Sequence, residues 1–267
     1  MKKTISVILI LVLCLALLTA CGGKETKAEG ISYTPVSTMA DALLEVKSGT
    51  ATCAVVDYVM ARSMVGEGTD YADLTILEGV DLAAEEYAIG FRNGSTAVEK
   101  INEAIDALAA DGTLAKIAEK YDQTYALIAN PVPSPESGTS SDDDWAYIQG
   151  KGSLVIGITE YAPMNYYDDD GTLIGFDTEF AQAVCDYLGI KAEFTVIEWE
   201  TKEIELSSKT IDCIWNGLTV DTERMENMDF SSSYMVNKQC LVVKNAAFVA
   251  EAGSAGEGVV TDVMHIK

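Results

Sequence analysis

The chain has 267 residues, 48% of them hydrophobic and 22% charged, which is enough apolar material to bury a core of one large or two modest domains. Lysine and arginine number 18 against 42 aspartates and glutamates, and the resulting charge of −24 repels phosphate backbones, so nucleic-acid binding is excluded. The single histidine, His265, leaves almost no material for histidine-based triads or His-rich metal sites, and a functional site must be built from carboxylates, arginine, hydroxyls, aromatics and backbone.

Lys2 and Lys3 precede an apolar run from Ile5 to Leu18, the charged and apolar regions of an export signal over residues 1–20. The alternative, a membrane-spanning helix, fits less well because the run is short for a bilayer. It ends in Leu18-Thr19-Ala20-Cys21-Gly22-Gly23, with small residues directly before a cysteine, and this resembles the lipobox of bacterial lipoproteins. The resemblance implies lipidation of Cys21, a polar tether over 21–30 and an extracytoplasmic protein anchored to the cell membrane. Beyond Cys14 and Cys21, four cysteines remain: Cys53, Cys185, Cys213 and Cys240. Each lies in an apolar stretch without CxxC spacing, which predicts free thiols acting as small core residues, although export permits disulfides.

The next segments alternate strand and helix. An extended piece covers 31–36, and Ser37-Thr38 cap a helix over 39–47 that Gly49 stops. A buried strand, Ala51–Val56, ends at Asp57, and a helix follows over about 58–64. Strands are expected near 74–77 and over Tyr87–Phe91, then helices over Thr96–Leu108 and Leu114–Tyr121. Residues 129–144 (ANPVPSPESGTSSDDD) hold three of the five prolines and no aromatic, the composition of a linker.

The same grammar then restarts. Leu154–Ile158 reads as a strand, Asp168-Asp169-Asp170-Gly171 as a turn and Asp177–Leu188 as an amphipathic helix stopped by Gly189. The acidic turn does not make a calcium loop, because Tyr166 and Asp177 stand at the first and twelfth ligand positions. Phe194–Ile197, a helix over about 200–207, the strand Ile211–Trp215, a short helix over 222–227 and the strand Cys240–Val243 complete it. Alternating βα units predict an α/β protein with open, mostly parallel sheets and a ligand at their carboxyl ends.

Several stretches together resemble the solute-binding proteins of amino-acid ABC transporters, with the type II periplasmic-binding-protein fold. They are Leu154–Thr159, Tyr161–Tyr166, Gly175-Phe176-Asp177, Ile211–Thr219, Glu223-Arg224 and Phe230–Tyr234, with Ala54–Asp57, Glu86–Arg92 and Asp111–Leu114 earlier in the chain. The family's order runs differently, with a segment like 151–243 ahead of segments like 31–92 and 96–121. This implies a circular permutation in which the linker joins the family's usual termini, and it is compatible with termini that lie close together at a surface. The competing arrangement is two truncated halves that pair by domain swapping. On the permuted reading, lobe 2 comprises 31–91 and 243–267, lobe 1 comprises 92–128 and 145–242, and hinge strands cross near 91–93 and 242–245.

The resemblance also assigns site residues. Arg224 is expected to fork onto a ligand carboxylate, with the Thr219 hydroxyl and the Gly217 amide as further donors. Asp57, at a strand end, is expected to bind the ligand ammonium, with helix capping as its alternative role. Tyr161 and Trp215 are expected as walls, Ser254 as an anion donor in a Gly-Ser-Ala-Gly turn, and Glu160 as either a surface charge or a side-chain selector. No metal or cofactor is implied. The implied function is a monomeric receptor that closes on a free amino acid and delivers it to a membrane permease, with a chemosensory lipoprotein or a dehydratase on the same fold as alternatives.

Overall fold

A computed structural model describes residues 32–80, 82–131, 143–245, 252 and 254. The signal segment, Cys21, most of the linker and most of 246–267 lie outside the described residues. The chain divides into two units, Met1–Val36 and Ser37–Lys267. In the first, residues 32–36 are irregular and exposed, not a strand. Pro35 removes a backbone donor there, and an extended segment without a ladder gains nothing from burial.

The second unit carries the named elements. Helix α1 (Met39–Ser48) starts with a reciprocal capping box between Thr38 and Asp41 and stops at Gly49 in the left-handed region. Strand β1 (Cys53–Asp57) alternates, with Ala54 and Val56 inward and Cys53 and Val55 outward. Cys53 is therefore exposed, against the expectation of a core thiol, while Cys185, Cys213 and Cys240 are buried, and all four are free. Next come α2 (Tyr58–Met64), β2 (Leu74–Ile76), β3 (Ala84–Tyr87) and β4 (Gly90–Arg92). The expected strand over 87–91 is thus two strands broken at Ala88-Ile89, where the chain passes from one sheet to another.

Helices α3 (Ala97–Ala110) and α4 (Thr113–Lys120) follow, and then α5 (Asp144–Lys151), which the linker composition concealed. Asp143 caps α5 by accepting from the Ala146 amide, so the irregular stretch ends there and Asp144 already belongs to the fold. Strand β5 (Ser153–Ile158), the short pair β6 (Tyr166–Tyr167) and β7 (Leu173–Ile174), helix α6 (Phe176–Leu188) and strand β8 (Lys191–Val196) come next. A 3₁₀ turn (Trp199–Thr201) leads into α7 (Lys202–Ser207), β9 (Cys213–Ile214), α8 (Arg224–Asn227), β10 (Met228–Phe230) and β11 (Met235–Lys244).

Two sheets organise these strands. In the first, β11 pairs antiparallel with β1, β2 and β3. The second has the order β10-β4-β9-β5-β8, parallel only at β5·β8 and β5·β9. The expectation of mostly parallel sheets is corrected: the architecture is α/β with mixed sheets, and every pairing in the first sheet is antiparallel among the described residues. Strands that cross between sheets, β4 and β11, re-enter against the direction of their neighbours, which a βα reading of local segments does not reveal. The crossing segments bond to each other, the Tyr234 amide to the Tyr87 carbonyl at 3.0 Å and the Ser231 amide to the Ile89 carbonyl at 2.9 Å.

Below the second sheet lies a buried ionic cluster. Arg92 Nε donates to Asp144 at 2.9 Å, its Nη1 donates to the carbonyls of Leu206 and Ile211, and its Nη2 stands 3.7 Å from Asp212. Asp212 also binds Lys151 at 2.5 Å and accepts from the Val155 amide at 2.7 Å. These contacts tie α5 and the start of β5 to the segment before β9.

Candidate functional site

Asp57 sits at the carboxyl end of β1, where α2 begins, yet its side chain makes no capping bond. The carboxylate, only 3% exposed, turns toward three neutral donors. Oδ2 accepts from the hydroxyls of Tyr161 at 2.6 Å and Tyr87 at 2.7 Å, and Oδ1 accepts from Gln239 Nε2 at 2.5 Å. The two tyrosine hydroxyls stand 2.9 Å apart. Burial, reinforced for Tyr161 by the Asp57 charge, pushes both phenols well above their ordinary range and keeps them protonated as donors. Among the described residues no cation lies within ion-pair distance of Asp57.

Tyr161 follows β5, so its hydroxyl joins Asp57 of the first sheet to the second sheet. Its ring covers Gly217, and a Cβ built on Gly217 would meet Tyr161 Cε1 at 2.7 Å and Tyr87 Cε2 at 3.2 Å. Gly217 also has φ +57°, so glycine is required there on two counts. Beyond it, Thr219 forms a bridge to Tyr87, and the Thr219 carbonyl accepts from Arg224 Nη1 at 2.7 Å. Asp221 accepts from the Arg224 amide at 2.8 Å and pairs with Arg224 Nε at 3.3 Å. The guanidinium lies 5.9 Å over the Trp199 ring, which Lys202 also approaches. Burial lowers the Lys202 pKa, and the Arg224 charge adds to that effect.

Asp57, Tyr161, Gly217, Thr219 and Arg224 are thus linked through Tyr87 and Tyr161. The Gly217 amide is engaged by Asp177 Oδ2 at 2.7 Å. Asp177 is fully buried, and desolvation raises its pKa to about 7 against the lowering pull of the Gly217 amide, Tyr234 and Trp215. Trp215 does not present an open wall: it is 0% exposed and packs edge-on against Phe180 with centroids 5.1 Å apart. Glu160 is exposed, and Ser254 is half-buried.

Several site residues escaped sequence reasoning. On β11, Asn237 and Gln239 share a face, opposite Glu85 of β3 and Asp57 of β1 respectively. Glu85 accepts from Asn237 Nδ2 at 2.8 Å, Gln239 Nε2 at 2.9 Å and Thr219 Oγ1 at 3.2 Å. A single carboxamide therefore donates to two carboxylates. Two polar residues spaced by two at the start of an otherwise apolar strand were the available signal.

Residues 154–254 match the family described as bacterial extracellular solute-binding proteins, family 3. Over part of its length the chain is similar to curated amino-acid-binding proteins. It is 36% identical over 99 residues to the L-cystine-binding protein TcyJ of Escherichia coli (strain K12), covering 36% of this chain and 37% of that one. The similarity to the arginine-binding extracellular protein ArtP of Bacillus subtilis (strain 168) is 31% over 122 residues, covering 45% and 44%. A solved ABC uptake transporter substrate binding protein from Streptococcus pneumoniae with bound histidine is 39% identical, covering 33% of this chain and 36% of that chain at a TM-score of 0.32. The chain thus spans less than half the length of these relatives.

Proposed function

We propose that this protein is an extracytoplasmic receptor that binds a free amino acid between two lobes and delivers it to an ABC permease, held at the membrane through lipid on Cys21. The observation that carries this reading is the position of Tyr161, whose ring covers the Gly217 turn while its hydroxyl sits on Asp57. The turn that leads to Arg224 and a buried carboxylate with no cation among the described residues therefore lie on either side of one side chain, which is the pairing a zwitterion needs. Arg224 and Thr219 receive the ligand carboxylate, Asp57 receives the ammonium in place of the phenol hydroxyls, and Ser254 adds a hydroxyl from the second lobe. Contacts from both lobes favour a closed form, and the permease reads that form.

The order of segments is that of a circular permutation completed within one chain. Pairing of β11 with β1 and β3, and of Asp57 with Tyr161, supports assembly of the site from a single copy. We assign one lobe to the sheet of β1, β2, β3 and β11 and the other to the sheet of β4, β5, β8, β9 and β10. This moves the crossings from the expected 91–93 and 242–245 to 87–90 and 230–235, and we assign the joint between old termini to the linker before Asp143. Light scattering is expected to give a monomer. A stable dimer with a shared cleft would favour swapped halves instead.

A thermal-shift screen of the common α-amino acids tests the function, because a ligand that binds only the native state raises the midpoint. At least one is expected to bind, and Arg224→Ala is expected to abolish binding of every one in a folded variant. Binding unchanged in Arg224→Ala would remove the carboxylate assignment.

A further inference from the structure

We propose that Glu85 is a specificity-determining residue of this site, one that selects an amino acid whose side chain ends in a guanidinium or ammonium. The inference rests on the amino-acid-binding function proposed above and deepens it.

The argument is one of charge balance at fixed geometry. Asp57 and Glu85 stand on the two strands that flank β11, directly opposite Gln239 and Asn237, so their side chains lie on one face of the first sheet. Gln239 Nε2 donates to both carboxylates, at 2.5 and 2.9 Å. The remaining donors to the pair are the neutral groups of Tyr87, Tyr161, Asn237 and Thr219. Among the described residues neither carboxylate has a cation within ion-pair distance. Arg224, the cation of the adjacent turn, already pairs with Asp221.

A neutral amino acid brings one ammonium and one carboxylate. With the carboxylate at Arg224 and the ammonium at Asp57, it leaves Glu85 with neutral partners only. A basic amino acid brings a second positive charge on a flexible stem, and Glu85 adjoins Thr219 and Gln239 at the border of the same site. Its charge-assisted bonds exceed those of the Thr219 hydroxyl, whose contact is the longest of the three at Glu85. An acidic amino acid would set a further anion beside Glu85 and is rejected.

The test is calorimetry with arginine and with citrulline, which replaces the guanidinium by a neutral group of nearly the same shape. The wild-type protein is expected to prefer arginine by about tenfold or more, the value of one hydrogen bond to a charged group. Glu85→Gln, checked for folding by circular dichroism, should lose that preference through weaker arginine binding while citrulline binding is little changed. Equal wild-type affinity for arginine and citrulline would overturn the assignment, even if the variant does not fold. Affinity for both ligands rising together in Glu85→Gln would also overturn it, because Glu85 would then be competing with the ligand carboxylate for Thr219. If no α-amino acid binds the wild-type protein, the receptor function itself fails.

Discussion

Asp144 and Asp212 are buried with cations at hand, whereas Asp57 is buried with none among the described residues. The first two share Arg92, with Lys151 also at Asp212 and Lys209 3.7 Å from Asp144, and the same arginine donates to two carbonyls. The last is wrapped in two phenols and a carboxamide. A carboxylate fixed by resident cations has its charge balanced within the fold, and removing a partner damages the fold. A carboxylate held only by neutral donors can exchange them for an ammonium without breaking an ion pair. On the proposed function, the difference separates structural charge from charge kept for a ligand, although both groups read as buried acids.

The largest expected effect breaks the structural half. Arg92→Ala leaves Asp144 and Asp212 without their shared guanidinium, and chemical denaturation should show a loss of about 3–5 kcal/mol in stability. A variant as stable as the wild type would show that Lys151 and Lys209 suffice. Asp57→Asn sharpens the other half: amino-acid affinity should fall by about 2–5 kcal/mol, and more for the amino acid than for the matching deaminated acid. Equal losses for both ligands would place Asp57 outside ammonium recognition.

Asp177 lies between the two cases, buried and bonded to the Gly217 amide with a pKa raised to about 7 from 3.8. Because the folded state holds this proton more tightly, the stability it confers is fully present below about pH 4 and is lost as pH rises through 7. Asp177→Asn should remove that slope, so variant and wild type should differ by an amount that changes with pH on the order of 1 to a few kcal/mol. Parallel pH profiles would contradict this. The smallest effect belongs to Tyr161→Phe, which removes one hydroxyl from Asp57 and should cost about 0.5–1.5 kcal/mol of stability. Ligand affinity should hold or improve, since one competitor for Asp57 is gone, and a large loss of affinity would mean that the hydroxyl itself contacts the ligand.

Much of this was legible in the sequence because it is local. Ser37-Thr38 and Gly49 marked α1, and the run into Asp57 marked β1. What escaped depends on register between distant strands. Glu85 meets Asn237 and Asp57 meets Gln239 only because β3 and β1 pair with β11 in particular alignments, and no neighbouring residue encodes them. Trp215 illustrates the opposite error: a large aromatic at a strand end suggested a wall, but Phe180 and Tyr234 enclose it completely. Helix α5 was hidden for a compositional reason, since Asp143 and Asp144 continue an acidic, proline-rich stretch while one caps the helix and the other pairs with Arg92.

The bonded crossings, Tyr87–Gly90 and Phe230–Met235, carry a mechanical consequence. Where two strands that join two sheets are laced to each other, the connection is a single ribbon, and the motion it permits is bending and twisting of that ribbon. On the receptor function proposed above, occupancy translates into one angle. Val55, exposed on the outer face of the first sheet, and Val196, exposed at the end of β8 in the second, offer anchor points on either side of the ribbon. A donor and an acceptor dye at these two positions would convert that angle into colour, an optical gauge for the proposed solute.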